Sequence, residues 1–423
     1  MDRVLSSVDL PIRLPPSHQG LRRRWSALCW ITTAEVLAVS VWLSPPVVGQ
    51  ALMQHWHLPP AMLTWLTDSV QLGFVAGALC SATIGLADRF RPRPLMTWGS
   101  LGASCTTLAL LWAGGGWLPF LLRALSGACL AIVYPVAVQW VANWFPHQRG
   151  LAVGAIIGGL TIGSALPHLL LGLPLVGNWR AVLAASAALA AVAAILVRWV
   201  VPELPGPFHP PPFRWDRVGS VLRHRPVMLA SIGYWGHMWE LYAMWAFVPA
   251  FMLASWAAFW TGGALVGIVG AASFVAIGVA GLGGALAGGW AADRWGRTAV
   301  TTLALATSAT MALVIGLTYS QVPWLTFAVA AVWGLSVIAD SAQYSVAVTE
   351  LCPPALQGSA LTLQMAVGFL ITLLSINLMA RLEPLLGWSH VLSLLAIGPV
   401  IGIAAMLRLR RRPEASALAD GRR

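Results

Sequence analysis

The 423-residue sequence contains no lysine, only 14 acidic residues, and charge at just 9% of its positions. Soluble domains carry about 25% charged residues, so this composition argues against a water-soluble enzyme and against a disordered chain. Cysteine is also scarce. Cys29, Cys80, Cys105, Cys129 and Cys352 show no CxxC or metal-type spacing, and four lie in apolar runs where a thiol acts as a small hydrophobe. Neither a disulfide framework nor a cysteine metal site is expected. Residues 1–24 are polar and Arg-bearing without a small-residue cleavage site, so no secretory signal is read there. The loops hold no nucleophile–base pair and no metal cluster, so no enzyme activity and no cofactor are expected.

What the sequence does have is apolar length. Hydrophobic residues make up 58% of the chain, and the mean hydropathy is +0.76. A bilayer core needs about 20 mostly apolar residues per helix. That ruler predicts twelve spans, near 25–45, 62–86, 94–113, 117–142, 150–172, 179–201, 227–253, 262–289, 298–318, 323–348, 355–379 and 385–407. The expected class is an all-α membrane protein of two pseudo-symmetric six-helix bundles. The Pro-rich, charged stretch 202–226 reads as a stiff cytoplasmic linker between bundles 25–201 and 227–407, with tails at 1–24 and 408–423.

The net charge of +11 would suggest nucleic acid if it sat on one solvated face. Instead the 25 Arg cluster in alternate loops and tails. With the N-terminus in the cytoplasm, 22 fall on the cytoplasmic side, two outside (Arg180, Arg381), and Arg123 within a helix. This asymmetry predicts an inner-membrane protein with both termini cytoplasmic and the lipid bilayer, not nucleic acid, as its surroundings.

The halves repeat. Glu35 and Glu240 lie mid-helix in spans 1 and 7, and Asp88-Arg89 and Asp293-Arg294 follow spans 2 and 8, both pairs 205 residues apart. WLPF at Trp117 and WLTF at Trp324 open spans 4 and 10, 207 apart. Duplicated bundles of this kind place a binding site at their interface near the midplane.

GLADRFRPRP (85–94) and GGWAADRWGR (288–297) resemble the two Gly-x-x-x-Asp-Arg-x-x-Arg loops of the major facilitator superfamily. RALSG (123–127) is similar to its Arg-x-x-x-Gly motif, and NWFPHQRGLAVG (143–154) to the loop of its organic-anion and nitrate/nitrite branches. The resemblance covers roughly residues 25–407 and implies a transporter fold. It departs from two branches. GAIIGGLTIGSALP (154–167) lacks the Gly-Pro-x-x-Gly-Gly pattern of drug:proton antiporters, and spans 2 and 8 lack the anion-binding Arg of nitrate/nitrite porters. The runs YWGHMWELYAMW (234–245) and DSAQYS (340–345) look like those of uncharacterised bacterial facilitators. In such proteins the loops at Asp88, Arg89, Asp293, Arg294 and Arg297 act as a cytoplasmic gate, and spans 1, 4, 7 and 10 line the cavity.

Intramembrane charge costs about 2.5–3.5 kcal/mol on insertion scales, so ionisable residues there are functional candidates by default. Asp68 and Arg123 stand at similar depth in one bundle. They read as a structural ion pair, or with Arg123 as an anion anchor or part of a proton relay. Glu35 and Glu240 have no Arg or Lys within a helical turn. A carboxyl without a countercharge in low dielectric holds its proton to higher pH, the property a proton-coupled carrier needs. The alternative is a neutral Glu bonding backbone across helices. His237, three residues before Glu240, suggests a His–Glu relay. Trp235, Trp239, Tyr242 and Trp245 surround Glu240, either packed or arranged around an organic cation. Asp340 with Gln343 and Tyr344 either binds solute or caps a helix break. The Trp residues at helix ends, among them Trp25, Trp65, Trp117, Trp144, Trp256 and Trp324, read as interfacial anchors.

Together these predict a monomeric transporter of a small organic solute, working by alternating access and coupled to protons. The substrate-cavity and proton-coupling residues expected are Glu35, His237, Glu240, Tyr242, Asp340 and Gln343. A uniporter or an anion exchanger using Arg123, and a non-transporting receptor on the same fold, are the alternatives.

Overall fold

Apolar length and proline placement set the helices. The computed structural model describes residues 18–59, 62–145, 148–172, 178–203 and 213–422, and no strand occurs among them. Twelve long helical stretches follow: α1 (His18–Val39), α2 (Trp65–Ile84), α3 (Pro92–Ala109), α4 (Leu118–Trp144), α5 (Arg149–Gly172), α6 (Trp179–Trp199), α7 (Arg225–Trp256), α8 (Gly262–Trp295), α9 (Arg297–Val314), α10 (Pro323–Leu351), α11 (Pro354–Leu386) and α12 (Trp388–Arg410). Eight of them, α4 to α6 and α8 to α12, are long and apolar enough to cross a membrane. The other four stand where the sequence predicts spans 1, 2, 3 and 7. Several begin on a proline in the first turn, where the missing N–H costs nothing. Gly85 closes α2 at φ 70°, a left-handed position that a side chain would strain.

The packing repeats with a shift of six helices. In the first half α1 packs on α5 and α6, α2 on α4, and α3 on α4 and α6. In the second half α7 packs on α11 and α12, α8 on α10, and α9 on α10 and α12. The crossings are alike in detail. A Cβ on Gly73 or Gly77 of α2 would collide with Ala124 or Ala128 of α4, and one on Gly284 or Gly288 of α8 with Leu335 or Ala339 of α10. Small residues let these backbones touch, which is how helices bind each other in lipid. Between the halves, α5 packs along α8 and α2 along α11, again a matched pair.

Two helices break where function is at issue. α4 turns at 131–133 and α10 at Asp340, whose side chain makes no capping hydrogen bond at the break. α1 ends at Val39, before a turn over 40–43 and a short helix Ser44–Val47. Residues 204–212 of the linker lie outside the described residues. Its far end is docked, with Arg214 N–H donating to Ser359 Oγ at 2.8 Å at the start of α11.

The tryptophans separate into two sets. Trp25, Trp65, Trp117 and Trp324 are exposed, as interfacial anchors must be. Trp144 and Trp256 are buried, 1% and 2% exposed, so these two pack inside the protein and are not anchors.

Candidate functional site

The expected site residues do not form one constellation. They form three groups, at the two ends of the helix bundle and in the second half's interior, with Tyr242 between the halves and Glu35 apart on α1.

The interior group is built on α7, whose run Tyr234–Trp245 is almost wholly buried. Glu240 is 0% exposed. Its Oε1 accepts a hydrogen bond from Trp333 Nε1 of α10 at 2.6 Å, and its Oε2 accepts one from Ser308 Oγ of α9 at 2.8 Å. Both donors belong to the second half, so Glu240 is turned into that bundle rather than toward the surface shared with the first, where the resemblance placed it. His237 is not its relay partner. His237 Nδ1 lies 2.9 Å from Asp340 Oδ1, off the line of a good hydrogen bond, while Tyr344 OH donates to Asp340 Oδ2 at 2.6 Å. The imidazole packs beside the rings of Tyr234 and Tyr344, with centroids 6.0 and 5.7 Å away, and those two rings are 6.0 Å from each other. Being one turn apart put His237 and Glu240 on one face, but the neighbours opposite that face decide the bonds. Trp235 and Trp239 do not cage Glu240 either. Their Nε1 groups donate to Gln364 O of α11 and Leu394 O of α12, pinning α7 to both.

Gln343 links this group to the Arg-rich end of the bundle. Its Oε1 accepts from Arg297 Nη1 at 2.8 Å. Arg297, only 4% exposed, also bonds Asp293 Oδ1 at 2.7 Å and Glu350 Oε1 at 3.0 Å. Asp293 Oδ2 in turn accepts from Leu151 N at 3.3 Å, in the first turn of α5, so a carboxylate of the second half caps a helix of the first. A helix N-terminus offers unpaired N–H groups and a partial positive charge, which favour an anionic cap. Residues 413–421 fold back onto the same place, with Ala419 N donating to Glu350 Oε2 at 3.1 Å and Arg422 bonding Asp293 O. Arg294 stacks its guanidinium over Trp290 at 4.3 Å. Arg89 is exposed, and the side chain of Asp88 lies outside the described residues.

At the opposite end, the expected Asp68–Arg123 pair is absent. Asp68 Oδ2 accepts from Asn377 Nδ2 of α11 at 2.7 Å. One turn along, Gln71 Oε1 accepts from Thr372 Oγ1 at 2.5 Å. Arg123, 0% exposed, instead donates from Nε to Leu66 O (3.0 Å), from Nη1 to Val41 O (3.0 Å) and from Nη2 to Trp42 O (2.6 Å). Val41 O and Trp42 O lie at the break after α1, where a helix end leaves carbonyls orphaned and the dipole favours a cation, while Leu66 O lies in the first turn of α2. Depth alone made Asp68 and Arg123 look like partners, and rotation about their helix axes separates them.

Between the halves sits an aromatic cluster. Phe74 of α2 and Phe369 of α11 have centroids 4.5 Å apart, and Trp42 and Tyr242 stack on Phe369 at 5.8 and 5.4 Å. Glu35 is buried on α1 with neither carboxyl oxygen hydrogen-bonded among the described residues. Sequence reading missed Trp333, Ser308, Asn377, Thr372 and Glu350. Each is ordinary in its own helix, and only contact across helices gives it a role.

A family model described as Major Facilitator Superfamily matches residues 33–376. The chain is 28% identical over 159 residues to the gallate transporter of Pseudomonas putida, covering 37% of this chain and 35% of that protein. It is 32% identical over 105 residues to a probable chloroplastic anion transporter of Oryza sativa subsp. japonica, covering 24% and 20% of the two. An MFS-type transporter of Aspergillus fumigatus is 31% identical over 104 residues, covering 24% and 23%. The chain thus spans about a third or less of the length of each of these relatives.

Proposed function

This chain belongs to the major facilitator superfamily, and on that premise we propose that it is a secondary active transporter moving a small organic solute by alternating access, coupled to protons. The observation that carries the coupling is the bonding around Glu240. As a carboxylate it accepts from Trp333 Nε1, which can only donate, and from Ser308 Oγ. As a carboxylic acid it donates from Oε2 to Ser308 Oγ, whose own hydrogen then turns to Leu305 O, 3.2 Å away. Neither state orphans a buried donor, so a proton can enter and leave without breaking the packing. His237, Asp340 and Tyr344 form a second polar group in the same bundle, and Gln343, whose N–H donates to Asp340 O, ties it to Arg297.

The two bundles, 25–201 and 227–407, rock about their interface. The Arg-rich end is cytoplasmic, in an inner membrane, with both termini on that side and a monomer as the working unit. Asp293 on the N-terminus of α5, braced by Arg297, is the gate there. Asp68–Asn377 and Gln71–Thr372 close the outer end. Each latch is polar, local and strung between the halves, so one can open while the other holds. Two relatives, a probable anion transporter and a gallate transporter, make organic acids the first solutes to try. An exchanger using Arg123 has less support, because all three guanidinium nitrogens are engaged by carbonyls.

The test is solute-driven proton uptake into proteoliposomes of the purified protein, screened over small organic acids, amines and nucleosides. With a transported solute, Glu240→Gln is expected to lose proton-driven accumulation while solute exchange down its gradient persists. Accumulation equal to wild type in that variant would overturn the coupling role.

A further inference from the structure

A shallow, largely open depression of about 400 Å³ lies at the Arg-rich end, where the last turn of α12 meets the start of α7. Leu229, Arg408, Arg411, Arg412 and Pro413 line it. Among the described residues no carboxylate, the adjacent Glu414 included, comes within 4 Å of any of these three guanidiniums. Membrane topology by itself asks for Arg on this side. It does not ask for three unpaired ones around a concave wall.

The approach to the pocket is as informative as the pocket. On α12, Ile397, Val400, Ile401 and Ala404 are exposed, recurring at helical spacing along one face. Continuing that face by four and seven residues from Ala404 reaches Arg408 and Arg411. An apolar stripe facing lipid therefore runs straight into a cationic pocket with an apolar side wall, Leu229. The third side is Pro413, held because residues behind it are tied down: Ala415 and Leu418 are buried, and Ala419 N bonds Glu350.

We propose that this pocket binds the phosphate headgroup of an anionic phospholipid from the leaflet at the Arg-rich end, with its acyl chain laid along the exposed face of α12. Guanidinium forks match phosphate oxygens bidentately, and basic pockets beside membrane helices recruit anionic headgroups. The stripe distinguishes a lipid from free phosphate, which has no use for it. Because the pocket wall is the segment that reaches Glu350 and Asp293, an occupying lipid would brace the same end of the molecule as the gate.

The experiment follows thermal unfolding of the purified full chain in a mild nonionic detergent. Phosphatidylglycerol, phosphatidylcholine or inorganic phosphate is titrated in. A ligand of the folded state raises the Tm in proportion to its affinity. Phosphatidylglycerol is expected to raise the Tm saturably, while phosphatidylcholine and inorganic phosphate at equal concentration do not. Arg411→Gln should shift the half-saturating phosphatidylglycerol concentration up by about fivefold. The triple variant Arg408→Gln/Arg411→Gln/Arg412→Gln should abolish the response, and the single variant carries the test if the triple fails to insert. Arg381→Gln, at the opposite end, should respond like wild type. The proposal is overturned if phosphatidylcholine works as well, if Arg411→Gln leaves the titration unchanged, or if Arg381→Gln shifts it as much. A full response to inorganic phosphate alone overturns the lipid as occupant.

Discussion

Arg123→Met separates a scaffold cation from an anion-binding one. In the structure the guanidinium joins α4 to three carbonyls, Val41 O and Trp42 O after α1 and Leu66 O at the start of α2. Met keeps the apolar stem and removes every donor. Each hydrogen bond from the charged guanidinium contributes about 1.5–3 kcal/mol, and Val41 O keeps a second donor in Ser44 Oγ at 3.3 Å. Three such bonds sum to roughly 4.5–9 kcal/mol, against which the variant no longer buries a charge, a relief of several kcal/mol at most. We expect a net loss of about 2–5 kcal/mol. At about 2–4 °C per kcal/mol for a unit the size of one bundle, the Tm falls by roughly 4–20 °C. Arg123→Lys keeps the charge but offers one compact donor group in place of a planar fork, so it should fall between wild type and Met. The assay is thermal unfolding of each purified variant, read beside its solute exchange in proteoliposomes. An Arg123→Met protein as stable as wild type, yet unable to bind or exchange an anionic solute, would refute the scaffold reading. It would restore Arg123 as the anion anchor.

Ser308→Ala removes the one partner of Glu240 that can both donate and accept, so solute-driven proton uptake is expected to fall several-fold while downhill exchange stays near wild type. Equal losses in both would mean that Ser308 only packs. Asp293→Asn leaves α5 with a neutral cap worth about 0.3–1 kcal/mol less. A cysteine placed at Leu151 should then react faster with a membrane-impermeant thiol reagent from the Arg-rich side, and an unchanged labelling rate would argue against a gate there. Gln71→Leu with Thr372→Val removes both members of one outer latch, so buried polar groups are not orphaned. Stability should change by less than about 1 kcal/mol, while labelling from the outer side speeds up; slower labelling would contradict the latch. Glu35→Leu removes a buried carboxyl that lacks partners among the described residues, so the protein is expected to melt higher by a few degrees, as measured by the same unfolding assay.

Much of the architecture was legible because bilayer and chain length leave few choices. Twelve apolar runs, Arg sorted 22 to two, and landmarks at a constant offset pointed to a duplicated helical membrane protein. The packing does repeat with a shift of six. The polar partners were not legible. Periodicity along one helix tells which residues share its face but not which neighbour that face meets. Hence His237 was paired with Glu240 on its own helix, whereas its close contact is Asp340 on another. Asp68 and Arg123 matched in depth yet point to α11 and to the end of α1. Trp144 and Trp256 stood at helix ends like true anchors, and burial sets them apart.

The repeat also conceals where its two halves differ chemically. Glu35 and Glu240 occupy equivalent positions, but the offset that relates them carries Ser308 back to Ala103. The offset relating the fourth and tenth helices carries Trp333 back to Ser126. Ala103 has no hydrogen to donate, and Ser126 is engaged with Leu122 O and Thr106 Oγ1. The first half therefore keeps the carboxyl without the two donors that satisfy it in the second, and Glu35 has no bonded oxygen among the described residues. Symmetric backbones allow two bundles to rock against each other, whereas a carboxyl that exchanges a proton needs partners for both its states. Only the second half supplies them, which is why coupling is assigned to Glu240 and why losing Glu35 should leave the coupling assay less affected than losing Glu240.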